Sequence, residues 1–373
     1  MIAATYQIIL KLNGQEIGDV RPIAENLTWS RFRTNYGIDA VEFTLNDHLL
    51  ANWCSDRQIQ VKDLIKPIAL EATVIRNGEP VAGGFLATMP AYQPNQASAN
   101  LQMRFDGYMN LLAGVILAPA ALTTKRADQF VTGWITEANT RSTNAGKGYG
   151  FTQGSIEALG SVQRTYDNYK TIKEAILQMA DNVEGAGQFD VIFNPDKSYD
   201  ITSQLGRNIT DWGLYYPPRD GGQSAATISA PEIQGFASSI LTLGSGEVSS
   251  DPAKSTVITK QTTDATAVAE YGYFEAMTQY SSVSRQATLD QHNATDLANA
   301  TKIQWQPAIT LLGIQTPPSP TEAFGLWIGD TVNLTNTADV TGMTSGKFRI
   351  NALRADVSAN GGEIITPEME RAA

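Results

Sequence analysis

The chain has 373 residues, 42% of them hydrophobic and 17% charged, with a formal net charge of −11. That length exceeds one ordinary core and predicts two or three domains, and the apolar content excludes a chain disordered throughout. The negative balance excludes a protein whose main work is gripping nucleic-acid phosphates, which needs a basic stripe, although it suits an inert wall along which DNA passes.

The first hundred residues read as strands. Tyr6–Leu12 ends at Asn13-Gly14, a hairpin signal, and residues 15–20 return. Residues 27–33 set Leu, Trp and Phe against Thr, Ser and Arg. Residues 40–45 set Val41, Phe43 and Leu45 against Glu42 and Thr44. Residues 59–61 read as a short strand and 68–75 as a longer one, which turns through 77–80 into 81–89. Residues 99–105 alternate Leu101, Met103 and Phe105 with Gln102 and Arg104. Short strands between turns predict a barrel or curled sheet rather than a βαβ fold. The single cysteine, Cys54, permits no intrachain disulfide, as expected for cytosolic synthesis, and reads as a small half-buried residue.

The opening residues show no signal-peptide pattern. The most apolar stretch, residues 111–122, contains Pro119 and is about half the ~20 residues of a membrane span, so it reads as a helix end and a core loop. Residues 127–140 predict an amphipathic helix with Phe130, Val131, Trp134, Ile135 and Ala138 on one face. Residues 169–183 give the strongest helix pattern, through Ile172, Ala175, Ile176, Met179, Ala180 and Val183. A hairpin follows: residues 189–193, the turn Asn194-Pro195-Asp196-Lys197, and 198–202. Residues 217–222 read as a loop or linker.

The last third returns to β structure at 233–243 and 255–261. Asp264 then opens a small, hydroxyl-containing run into Tyr271-Gly272, with Glu275 close behind, a strand at 278–283 and a helix at 287–301. Strands are expected at 308–313, 346–350, 352–357 and 363–366, and residues 327–334 read as a turn into a strand. Pro367 and Arg371-Ala372-Ala373 form a short tail.

Constellations that carry chemistry are sparse. The two histidines, His48 and His292, read as surface residues and lack the spacing of zinc ligands. No Gly-x-Ser-x-Gly lies between a strand and a helix. Residues 146–150, Gly-Lys-Gly-Tyr-Gly, lack the ending of a phosphate loop. Glu174, Asp181 and Glu184 are candidates for a carboxylate-dependent cell-wall hydrolase, but a helix so patterned puts them on its solvent face. Trp134, Trp212, Tyr215 and Tyr216 are candidates for a sugar-stacking surface in a receptor- or carbohydrate-binding protein. Aromatics spread over strands without a basic track do not make a nucleic-acid stacking platform.

Four elements occur in order along nearly the whole chain. They are Trp29-Ser30-Arg31-Phe32-Arg33-Thr34-Asn35-Tyr36 followed by Val41-Glu42-Phe43-Thr44-Leu45; Phe189-Asp190-Val191-Ile192-Phe193 with Tyr199-Asp200-Ile201; Tyr271-Gly272 with its following helix; and Gly329-Asp330-Thr331-Val332 with Gly346-Lys347-Phe348-Arg349-Ile350. In this order they resemble the baseplate-hub and tail-associated protein family of tailed bacteriophages. The chain departs from the family where Ala265 and Thr266 replace the usual Ser or Ile after the acidic opening.

The resemblance implies a β-rich α+β fold. Two β-barrel-like hub domains, 1–106 and 226–373, would flank a mixed α/β middle region, 107–225. It implies structural motif residues Asp264, Tyr271, Gly272, Glu275, Gly329, Asp330 and Arg349, with no catalytic, cofactor or metal residues. The implied assembly is a homotrimeric ring joining a six-fold tail tube to a three-fold tip. Its partners would be the tube or a distal tail protein, a tape-measure protein and a fibre or spike, with no sequence-specific nucleic acid and no membrane anchor. The implied place is the tail tip or baseplate of a virion, after synthesis in the host cytoplasm.

Overall fold

Alternating apolar residues and tight turns build most of the molecule, as a computed structural model shows. The structure describes residues 4–94, 99–166, 169–181, 186–216, 236–246, 256–281, 283–301, 311–312, 326–336, 346–359 and 362–372. The chain divides into two compact units: Met1–Ser229 with Pro307–Ala373, and Ala230–Gln306.

The larger unit is organised by one 13-stranded sheet. Its main path runs Asn208–Tyr216, Thr331–Asn336, Gly346–Val357, Ala24–Phe32, Ala40–Asn46, Ala99–Asp106, Glu79–Leu86, Leu70–Arg76, Tyr6–Leu12, Gln15–Asp19. Neighbours are antiparallel except the first pair, which is parallel. The pairing of Ala24–Phe32 with Gly346–Val357 puts strands from both ends of the chain into one sheet. The described strands close no barrel.

Turn chemistry explains the hairpins. Asn13 and Gly14 adopt φ of 53° and 81°, and Asn77 and Gly78 adopt 50° and 89°, the left-handed conformations that Asn and Gly tolerate. The sheet's core contains Ile8, Leu10, Trp29, Val41, Phe105, Phe348 and Leu353, and Phe43 stacks on Phe105 at 5.5 Å.

A second core lies under the helices Ala127–Asn144 and Ile172–Ala180 and the hairpin Asp190–Phe193/Ser198–Thr202. Thr171 starts the shorter helix. Its Oγ1 accepts the Glu174 N–H at 3.1 Å, and Glu174 Oε2 accepts the Thr171 N–H at 2.8 Å. Such a reciprocal cap contributes ~1 kcal/mol. The helix then buries Ile172, Ala175, Ile176, Met179 and Ala180.

The smaller unit has a three-stranded sheet. Ser239–Leu243 lies between antiparallel Thr259–Thr263 and parallel Glu275–Gln279. Helix Gln286–Ala300 packs on one face, where Asn293 Nδ2 donates to Ile240 O and Thr242 Oγ1, both at 2.9 Å.

Several local expectations are corrected. Residues 59–61 form no strand, and a helical turn, Val61–Leu64, starts there. An unexpected helix, Asp47–Ser55, is capped by Asn46, whose side chain accepts the His48 and Leu49 N–H groups. That helix places Cys54 at 0% exposure, not half-buried. Residues 111–122 hold the end of a 3-10 helix, Tyr108–Gly114, and then strands Ile116–Leu117 and Ala120–Arg126. The helix expected over 169–183 spans Ile172–Ala180, because Thr171 caps it, while Val183 and Glu184 lie outside the described residues. Residues 346–350 and 352–357 are one strand, irregular between Ile350 and Ala352 where it pairs with Glu363–Arg371. Pro367 sits inside Glu363–Arg371 rather than in a tail. The loop expected at 217–222 lies outside the described residues.

Candidate functional site

Strand parity decides where charge enters the larger unit. Along Ala24–Phe32 and its continuation, Leu27, Trp29, Arg31 and Arg33 are all buried, with the two arginines 1% and 2% exposed. Phe32 falls on the opposite parity with Thr28 and Ser30, which corrects its expected grouping with Leu27 and Trp29.

Arg31 and Arg33 reach the second of the recurring elements. Arg31 Nη2 donates to Phe193 O at 3.0 Å, and its Nε lies 3.0 Å from Asp39 Oδ2. Arg33 Nε and Nη2 donate to Asp190 Oδ2 at 3.1 and 2.9 Å, and Nη1 donates to Asn351 Oδ1 at 2.9 Å. The Thr34 N–H donates to Asp190 Oδ1 at 3.1 Å, and the Val191 N–H to Thr34 Oγ1 at 2.7 Å. Glu370 lies 3.7 Å from Arg33 and accepts the Tyr36 hydroxyl at 3.0 Å. Burial, followed by the Glu370 charge, pushes the Tyr36 phenol up to about 12. Burial, with Arg33 close by, lowers the pKa of Arg349. Burial pushes the Asp39 carboxyl up, against the pull of Arg31.

The Gly-Asp-x-Val element forms an adjoining joint. Asp330 is 0% exposed. Its Oδ1 accepts the Arg207 backbone N–H at 2.8 Å and Nε at 3.1 Å. Its Oδ2 accepts Arg207 Nη2 at 2.6 Å and the Trp327 N–H at 2.8 Å. Arg349 Nη2 donates to Leu205 O at 3.1 Å. Here the two backbones nearly touch. A Cβ on Gly206 would stand 2.0 Å from the Gly329 carbonyl carbon, and one on Gly329 would stand 2.4 Å from Leu205 O.

In the smaller unit Asp264 caps helix Ala265–Tyr271, its Oδ1 accepting the Thr266 and Ala267 N–H groups at 2.9 and 3.1 Å. Gly272 ends the helix at φ 95°. Ser238 ties the exit down: its Oγ donates to Gly272 O at 2.9 Å and accepts the Phe274 N–H at 2.8 Å. Glu275 accepts the Tyr273 hydroxyl at 2.9 Å and Gln261 Nε2.

The motif residues therefore fall into two groups. Gly329, Asp330 and Arg349 converge on residues 205–207 in the larger unit, and Asp264, Tyr271, Gly272 and Glu275 lie together in the smaller one. Nothing in the local pattern singles out Gly206 or Arg207, and Asp190 stands out only as part of the element Phe189–Phe193. A legible signal existed for Arg31 and Arg33, which continue the inward parity of Leu27 and Trp29.

Other candidates scatter. Glu174 is consumed in its cap, which draws its pKa down through the Thr171 N–H, and Asp181 is exposed. Trp134 is 7% exposed and belongs to the second core, not to a sugar platform. The side chains of Trp212, Tyr215 and Tyr216 lie outside the described residues. The His48 side chain is 73% exposed, and His292 stacks on Tyr280 at 4.1 Å. Among the described residues, no cluster of three or more His, Cys, Asp or Glu is placed to hold a metal ion, and no helix is long and apolar enough to cross a membrane.

No protein-family model matches the sequence, and no curated protein matches it. Solved structures do match. The 43 kDa tail protein of prophage MuSo2 from Shewanella oneidensis superposes with a TM-score of 0.66 at 12% identity, covering 98% of each chain. A tail protein from Neisseria meningitidis MC58 gives 0.62 at 12% identity, over 98% of this chain and 96% of that one. Prophage tail protein gp18 from Listeria monocytogenes EGD-e gives 0.51 at 13% identity, over 97% and 94%. The chain has the fold of these tail proteins.

Proposed function

We propose that the chain is a structural hub at the distal end of a phage or phage-like tail. The observation that carries this reading is the near end-to-end likeness to the Shewanella prophage tail protein, with 98% of both chains covered. The joints at Arg33–Asp190 and Arg207–Asp330 support it, because both lock distant segments into a fixed frame instead of lining a cleft for chemistry. In this reading the sheet shared by strands of regions 1–106 and 226–373 forms the frame of the hub, and 107–225 decorates it.

Three copies form a ring that matches a six-fold tube above to a three-fold tip below, by shape and sealing and without catalysis. The neighbours are the tube or a distal tail protein, the tape-measure protein and a fibre or spike. The chain is made in the host cytoplasm and ends in the virion tail. Light scattering on a sizing column tests the assembly. A mass of three chains and rings with a central channel in electron micrographs are expected. A monomer that stays single at high concentration and with purified tube protein rejects the trimer.

A further inference from the structure

In the smaller unit several large apolar side chains are exposed while several polar ones are buried. Tyr271, Tyr273, Phe274 and Met277 are 40%, 56%, 52% and 63% exposed, whereas Ser238, Ser239, Thr242 and Asn293 are buried. Phe236 packs edge-on against Tyr271 and Phe274, with centroids 5.3 and 5.7 Å apart, so the rings are held in place. Neighbouring exposed apolar side chains of this size mark an interaction surface.

The backbone beside them forms a sheet edge. Among the described residues, strand Glu275–Gln279 pairs only with Ser239–Leu243. Helix Gln286–Ala300 lies on the face of Thr242 and Thr278, whose hydroxyls are 3.0 Å apart, and Asp296 of that helix accepts from Thr278 at 2.8 Å. Glu275, Met277 and Gln279 have the opposite parity and are exposed, next to half-buried Leu241 and Leu243. An unpaired edge with a residue-by-residue pattern on an open face is the geometry of strand addition.

Charge selects the occupant. The Glu275 carboxylate is held by Tyr273 Oη and Gln261 Nε2, both neutral donors, and among the described residues no ion pair offsets its charge. Glu270 lies on the same stretch, and residues 264–279 contain no Lys or Arg. We propose that this edge receives an extended segment of a neighbouring tail protein, with a basic residue beside Glu275 and an apolar one beside Met277. The source of the segment rests on the tail-hub reading; the recognition chemistry rests on these residues.

The probe is a short labelled peptide of alternating Lys and Val, followed by fluorescence anisotropy with the full chain. Saturable binding is expected. It should weaken about tenfold or more in Glu275→Lys and in Met277→Lys, and vanish when alternate peptide amides are N-methylated. An alternating Glu and Val peptide should not bind. Equal binding by wild type and both variants overturns the proposal, as does no binding by a wild type with native circular dichroism. Self-association of the wild type that disappears in Met277→Lys assigns the surface to a second copy and also overturns it. A native trimer that ignores the peptide sinks this surface and leaves the hub reading standing. A monomer that binds it keeps the surface and counts against the ring.

Discussion

Arg33 and Asp190, 157 positions apart, meet where Arg33 Nε and Nη2 both donate to Asp190 Oδ2, and both side chains are 2% exposed. Arg33 leaves the end of a strand in the large sheet, and Asp190 opens the hairpin that covers the second core. The pair thus fixes the register between two cores that are otherwise separate clusters. Ile192, two residues on, packs into the first core and gives the joint an apolar anchor as well.

Breaking this pair from one side strands the other charge. Asp190→Leu or Arg33→Met is expected to cost about 3–5 kcal/mol, since neither remaining group can regain water. The double variant Arg33→Met with Asp190→Leu should recover more than half of that loss. Urea denaturation of the four proteins gives the coupling directly. Single variants as stable as wild type would show that the contact carries no burden.

The joint at residues 205–207 and 329–330 is steric as well as ionic. Gly206 has φ 84° and no room for a Cβ, whereas Gly78, at φ 89°, has nothing within 4 Å. Gly78→Ala should cost about 1 kcal/mol from backbone conformation alone. Gly206→Ala must also push the Gly329 backbone away, and is expected to abolish soluble native protein or lower its melting temperature far more. Parallel melting curves of the two alanine variants check the contrast. Equal shifts would refute the close packing.

Asp264→Ala removes the cap of helix Ala265–Tyr271, at about 1 kcal/mol. The loss is local to the smaller unit. Hydrogen exchange should therefore quicken at Val268 and Gly272, whose N–H groups donate to Asp264 O and Val268 O, and stay unchanged in strand Tyr6–Leu12. Uniform acceleration across the chain would contradict a local cap.

What the sequence made legible follows the range of the forces involved. Hairpins such as Tyr6–Leu12 with Gln15–Asp19 are written in alternation and an Asn-Gly turn, and helix Ala127–Asn144 in its buried face of Val131, Trp134, Ile135 and Ala138. Helix Asp47–Ser55 was obscured because it buries only Leu50, Trp53 and Cys54, too few to set a period, and its clearest signal is the Asn46 cap. The motif residues Gly329 and Asp330 were picked out, yet their partners Gly206 and Arg207 were not, and Arg33 and Asp190 stood in separate elements with nothing to pair them. Each partner is recruited from more than a hundred positions away, and short-range patterns are silent about such distances. The pairing of Ala24–Phe32 with Gly346–Val357 escaped for the same reason.

Tyr36 supplies a prediction in pH. Its phenol is pushed up to about 12 by burial and by Glu370, above the ~10 of an exposed tyrosine. The folded state therefore holds this proton more tightly than the unfolded chain does. The resulting stabilisation is fully present below pH ~10 and is lost as pH rises through ~10 toward 12. Tyr36→Phe should remove that part of the alkaline loss of stability. The phenolate absorbance difference between wild type and Tyr36→Phe should titrate near 12, and in Glu370→Gln lower than this yet still above 10, because burial, the larger cause, remains. A difference curve centred at 10 in the wild type would mean that Tyr36 is solvated and that the contact with Glu370 does not form.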